Sequence, residues 1–145
     1  MLRRFKIFSR CEGAVAVEFA FIFPVMLLIV FGIIDFGHYW YMSHLASDAS
    51  REGARYGTRF TGSLPPVPAD IKQFVLVTSK YADYLPSGSN PNVEATGTAY
   101  NSPYVAGRPL VVEVTATKDW WILGSLIPGL GPSIPVKIST SMTAE

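Results

Sequence analysis

Gly13-Ala-Val-Ala-Val-Glu18-Phe19 opens an apolar run that continues to Ile34, and the fold follows from how that run is read. From Ala14 to Ile34 the one charged side chain is Glu18. A helix over this segment rises ~1.5 Å per residue and spans a hydrocarbon core of about 30 Å. The run is longer than the apolar core of a cleaved secretory signal and ends without an A-x-A site. It passes into Asp35-Phe-Gly-His38-Tyr-Trp40-Tyr41, aromatic residues of the kind found at membrane interfaces. A carboxylate inside such a segment costs roughly 2.5 to 3.5 kcal/mol on insertion scales and therefore calls for a partner or a function.

Charge sets the expected direction of insertion. The chain of 145 residues is 49% hydrophobic and carries a formal net charge of +1, but Arg3, Arg4, Lys6 and Arg10 against Glu12 leave the first thirteen residues at +3. The positive-inside rule keeps that flank cytoplasmic and sends the C-terminal part across the membrane. The basic cluster flanks the apolar run instead of patterning a folded surface, so nucleic acid is not an expected partner. The single cysteine, Cys11, lies in the same flank, which excludes an intramolecular disulfide. Packing alone must hold whatever folds beyond the membrane.

Downstream, Ser43 to Arg59 keeps a helical pattern but turns polar, with Ala46, Ala49, Gly53 and Gly57 recurring on one face. Small residues let another backbone approach closely, although each glycine weakens a helix by about 1 kcal/mol relative to alanine. A helix continuous from Ala14 to Gly57 is ~66 Å long, an anchor that becomes a stalk. Pro24 is expected to bend or loosen it by removing one backbone hydrogen bond. Thr61 to Pro68 reads as a linker and Asp70 to Leu85 as a second helix. Strands are expected at Val93 to Tyr100, Leu110 to Thr117 and Ile134 to Met142, the last with Pro135 marking an edge or a strand start. The fold class is therefore α+β: a long transmembrane helix continuing as a stalk, packed with a small antiparallel sheet and a second helix. The expected segments are a basic leader at 1–13, a membrane helix at 14–41, a helical stalk at 42–60 and an α+β extracytoplasmic domain at 61–145. Between the last two strands, Asp119-Trp120-Trp121 to Pro132 is apolar but too broken to span a membrane. It is expected to fold over the domain's own core, with a partner or lipid contact as the alternative.

Catalysis has little to stand on. His38 and His44 are six residues apart, with no acid-histidine-nucleophile set around them, and His44 with Asp48 is a lone pair at metal-ligand spacing. The glycines form no phosphate-cradling pattern. No enzyme activity, metal or cofactor is expected.

The opening stretch is different. If a membrane protease cuts after Gly13, Ala14 gains an α-amino group with a reference pKa of about 7.7 to 8.0. Glu18, four residues on, can neutralise that amine in its own chain or in a staggered neighbour. The uncleaved alternative leaves Glu18 reaching toward the interface. On the stalk, Asp48 with Arg51 and Glu52 with Arg55 are spaced for surface pairs of about 0.2 to 0.5 kcal/mol each, while Arg51, Glu52, Gly53 and Arg55 together can serve as a docking site.

Gly13, Glu18 and Phe19 match the prepilin processing pattern: glycine before the cut, glutamate fifth and an aromatic residue sixth after it. Together with Pro24, Ala49-Ser-Arg-Glu-Gly-Ala-Arg55 and the terminal Ser141-Met142-Thr-Ala-Glu145, the chain resembles TadE-like proteins, pseudopilins or minor pilins of the Flp (tight adherence) pilus system. The resemblance implies leader removal by a prepilin peptidase between Gly13 and Ala14, and bacterial inner-membrane insertion. It further implies contact with other pilin or pseudopilin subunits and the pilus assembly platform, in adherence and not catalysis. The alternative expectation is an uncleaved, signal-anchored periplasmic binding module unrelated to pili.

Overall fold

The computed structural model describes residues 10–59, 66–97 and 107–143 of the chain, with the backbone alone at 10–12. The basic side chains at the start, most of the Thr61 to Pro68 linker, the last residues expected in the first strand and the terminal Ala144 and Glu145 lie outside the described residues. The chain forms two compact units, one ending at Ile34 and one beginning at Asp35.

The first unit is the apolar part of helix α1 (Arg10–Thr58), which stays helical through Pro24. It is long and apolar enough to cross a membrane, and none of its most hydrophobic window is buried by protein. Val15, Phe19, Phe21, Ile22 and Ile29 are all exposed. Helices that bury their apolar face against a core show one apolar stripe; this segment is apolar all round, which suits lipid.

The second unit begins within the same helix. Met42, Ala46, Ala49, Gly53, Ala54 and Gly57 recur at three- and four-residue steps and are buried, because side chains at those steps share one helix face. The expected second helix is shorter than its apolar pattern. Helix α2 (Pro68–Gln73) continues as a wider π turn at Phe74–Thr78, and then stops. The Ser79 hydroxyl folds back to the Val75 carbonyl, and Lys80 adopts a left-handed backbone with φ of 56°. A residue in that conformation ends a helix. Tyr81–Tyr84 then forms one separate 3-10 turn, so Tyr81 and Leu85 reach the core from a new direction.

The sheet has three antiparallel strands, β1 (Asn92–Thr96), β2 (Pro109–Asp119) and β3 (Ser133–Thr143), in the order β1-β2-β3. The long strand β2 alternates strictly, burying Leu110, Val112, Val114, Ala116 and Lys118. Register then stacks like against like: Val114 faces Val93 on one side and Ile138 on the other, and Ala116 faces Val136. Pro135 sits on β3, an edge strand, where its missing N–H interrupts no ladder on the open side.

Helix and sheet meet at very short range. The inward faces of all three strands join Ile71, Val75 and Tyr81 and the small-residue face of α1 in a single hydrophobic cluster. Each fully buried Val, Leu or Ile contributes roughly 1.5 to 3 kcal/mol. Gly53 sets the spacing: a Cβ there would lie 2.8 Å from Val75 Cγ2 and 3.1 Å from Val112 Cγ1. Beside it, the Ser50 hydroxyl donates to the Ser47 carbonyl at 2.9 Å and lies 2.6 Å from the Thr140 hydroxyl, which joins α1 to β3. Tyr56 and Phe74 stack at 4.2 Å along the rim.

Two outcomes follow for stability, read by circular dichroism melts in micelles. Gly53→Leu should cost about 3 kcal/mol by overpacking, whereas Gly37→Ala, where a Cβ meets nothing within 4 Å, should gain up to about 1 kcal/mol from helix propensity. Tyr81 is 2% exposed and its hydroxyl has no partner among the described residues. Burial pushes its ionisation up to about 12, so the folded state favours the neutral phenol. That contribution is whole below the usual tyrosine value of about 10 and is lost as pH rises from about 10 toward about 12. Tyr81→Phe should remove this part of the alkaline loss and, by deleting an unpaired buried polar group, raise stability near neutrality by about 1 kcal/mol.

Candidate functional site

Three groups of residues carry the functional argument, and they differ in what surrounds them. Gly13 lies near the start of α1, and a Cβ on it would meet nothing within 4 Å. Ala14, Glu18 and Phe19 follow on the helix with their side chains exposed, and Phe19 stacks on Phe23 at 5.3 Å. Among the described residues Glu18 forms no ion pair. The stretch is thus an open, helical and accessible segment whose one acid has no ion-pair partner among the described residues.

The stalk residues divide by face. Gly53 is buried at the helix–sheet contact, while Arg51, Glu52 and Arg55 are exposed on the other side. The pairs Asp48–Arg51 and Glu52–Arg55, allowed by spacing, are not formed among the described residues. Instead Glu52 and Arg55 border an open cleft of about 250 Å³ with Tyr56, Arg59 and Phe74. Their charges are therefore available to solvent or to a partner. Gly53 serves the fold of this chain, and the other three do not share its contacts.

The third group was invisible as a unit in the sequence. Asp35 is 1% exposed and Lys118 fully buried, and Lys118 Nζ lies 3.2 Å from Asp35 Oδ1. The carboxylate also accepts backbone N–H groups from Trp121 at 3.2 Å, Ile122 at 3.2 Å and Leu123 at 3.1 Å. Those residues enter the short helix α3 (Leu123–Leu126), whose first N–H groups have no partners of their own. Lys118 completes the arrangement. Its ammonium donates to the Asp119 carbonyl at 2.8 Å and sits 4.9 Å from the centre of the Trp120 ring, a favourable placement for a cation over an aromatic face. One acid from the start of the second unit thus anchors the whole β2–β3 connection.

The connection was expected to fold over the domain's own core, and it does so only in part. Leu123 is buried, and Trp120 is half-buried with Phe36 set edge-on at 5.9 Å. The Trp120 backbone N–H donates to the Pro132 carbonyl at 3.0 Å and closes the loop. Gly124 permits this closure, since a Cβ there would come within 2.9 Å of the Gly131 carbonyl. Trp121, however, is 60% exposed and lies against His38 with ring centres 4.8 Å apart.

A signal for Lys118 was present in the alternation of β2, which continues one step past Ala116 to put a lysine on the inward face. An inward lysine needs a buried acid. Nothing in the chain's spacing said that the acid would be Asp35, 83 residues earlier. Chemically, the group positions a loop. It brings no nucleophile to a base, and among the described residues no three His, Cys, Asp or Glu side chains converge on a metal site.

Removing one partner of a buried pair leaves the other charge stranded, which costs about 3 to 5 kcal/mol. Asp35→Asn should lose stability of that order and free the loop, seen as faster amide exchange at Trp121 to Leu123. Adding Lys118→Met should recover a large part of the loss. Additive effects in the double-mutant cycle would show that the two side chains are not coupled.

Comparison with known proteins adds one finding. Searches among curated proteins and among solved structures give no match. The stretch of α1 that holds Gly13, Glu18, Asp35 and Ala46, Ala49 and Gly53 of the small-residue face, residues 13–55, matches the family model described as TadE-like protein.

Proposed function

We propose that the chain is a membrane-anchored, pseudopilin-like subunit that takes part in assembly of a Flp/Tad-type pilus and is processed by a prepilin peptidase after Gly13. The observation that carries this reading is the TadE-like match over residues 13–55, which takes in the whole processing motif. The exposed, apolar first unit supports anchoring in a bilayer. The N-terminus then faces the cytoplasm, with the second unit across the inner membrane.

Cleavage between Gly13 and Ala14 changes the electrostatics of the segment. Before it, the helix carries a basic leader and the acid Glu18. After it, a new ammonium group at Ala14 lies one helical turn from Glu18. Within one chain the pair only lowers the cost of burying the acid. Between staggered chains the same pair aligns one helix against the next, because each acid is neutralised only in the correct register. Glu18 acts in assembly, the peptidase and the other pilin subunits are the partners, and the exposed Arg51, Glu52 and Arg55 form a second, peripheral contact with neighbours. The domain itself is scaffold and surface, with no reaction assigned to it.

The test is N-terminal sequencing of the membrane-bound form from cells containing the peptidase. The mature chain should begin at Ala14, and Gly13→Leu should leave Met1 in place. Glu18→Ala should still be processed yet lose most of the crosslinks formed between chains from positions near Ala14. An intact Met1 start in the wild-type chain would return the protein to the uncleaved, anchored binding module.

A further inference from the structure

The β2–β3 connection leaves an apolar surface that neither the fold nor the assembly motif uses. Trp121 is 60% exposed, and Leu126, Ile127 and Leu130 are also exposed. The segment from Trp120 to Val136 has no charged residue. Phe36, exposed at 60% and set edge-on to Trp120, adds to it from α1. A soluble surface of this composition is a liability unless something covers it.

The position of the loop identifies the cover. Asp35, which holds the loop through three backbone N–H groups, is bonded directly to Ile34, the last residue of the apolar run. His38, which stacks on Trp121, is three residues further, or about 4.5 Å along a helix. A bilayer is about 30 Å thick across its hydrocarbon and about 40 to 45 Å with its headgroup layers, so each interfacial layer is about 5 to 8 Å deep. When the run from Ala14 to Ile34 fills the hydrocarbon, residues 35–38 and the loop tied to them fall within that layer. Tryptophan favours it. The otherwise costly buried pair Asp35–Lys118 has a use there: it pins an uncharged loop at a fixed depth while keeping both of its charges out of lipid contact.

We infer that the loop 120–132, with Phe36, seats in the interfacial layer of the bilayer, so that the folded unit holds the membrane at a second point. This inference rests on the membrane-anchored reading of residues 14–34. Its partner is a lipid surface, and a second copy of the chain or another protein is the competing occupant.

The test uses the full chain in phosphatidylcholine and phosphatidylglycerol vesicles. Trp40→Phe with Trp120→Phe leaves Trp121 as the reporter. Acyl-brominated lipid should remove about half of the Trp121 emission, as expected for an apolar surface about 5 to 10 Å into the boundary, and aqueous iodide should remove little. Quenching by iodide would overturn the inference, and so would protection from both quenchers, which signals a protein cover. Should the tryptophan changes disturb the loop, Ile127→Cys or Leu130→Cys in a Cys11→Ser chain carries a nitroxide instead. The label should collide more with oxygen than with a water-soluble nickel chelate, and the reverse order would overturn the inference. Alkaline carbonate separates the two readings. A chain that it extracts has no spanning helix and both fail; a chain that is retained with Trp121 in water loses only the second contact.

Discussion

The buried contact between Asp35 and Lys118 is the constraint on which the arrangement of the second unit depends. Two charges removed from water are costly, and their mutual attraction offsets that cost only when hydrogen bonds satisfy the remaining valences. Here they do. One carboxylate accepts the ammonium and three backbone N–H groups, and the ammonium also meets a carbonyl and an aromatic face. The result ties the first turn of the folded unit to the far end of β2 and to the loop beyond it. An apolar pair of similar volume would bury as well, but it would not orient three successive amides. The pair is better understood as fixing a geometry than as a source of stability.

The rest of the unit follows from how little room α1 leaves. With no disulfide available to a chain whose one cysteine is Cys11, cohesion comes from packing, and packing comes from closeness. Ala46, Ala49, Gly53 and Gly57 give α1 a flat face, and β2 supplies Leu110, Val112 and Val114 to fill it. The glycine at 53 weakens the helix intrinsically, yet it is the residue that lets Val75 and Val112 approach. Local propensity gives way to tertiary contact, as it commonly does where elements cross tightly.

Much of this was legible in the sequence because it is periodic. Helical spacing picked out the buried face of α1, and strict alternation picked out the inward residues of β2 and, with more exposure, Ile134, Val136, Ile138 and Met142 of β3. The break after α2 was not legible, because Phe74, Val75, Tyr81 and Leu85 keep nearly helical spacing while Lys80 turns left-handed between them. Asp35 was missed for a different reason. An acid at the end of an apolar run reads as interfacial, and periodicity describes which residues share a face, never which distant residue completes a buried charge. The Gly13 to Phe19 pattern was legible as a resemblance carried by its residue types and spacing, and the stretch that contains it, residues 13–55, matches the TadE-like family model.

The chain's two unusual acids are a matched contrast. Asp35 finds all of its partners within the folded unit. Glu18, on the same helix and embedded in a more apolar sequence, is exposed and finds none among the described residues. A carboxylate within an apolar membrane segment costs roughly 2.5 to 3.5 kcal/mol on insertion scales, a cost met by a partner or by reaching toward the interface. In the proposed processed form, an amine at Ala14 would lie one helical turn from Glu18, on this chain and on each neighbour. The cost that is met within the folded unit at Asp35 is met by no side chain of the described residues at Glu18, and the proposed assembly role of Glu18 rests on that difference.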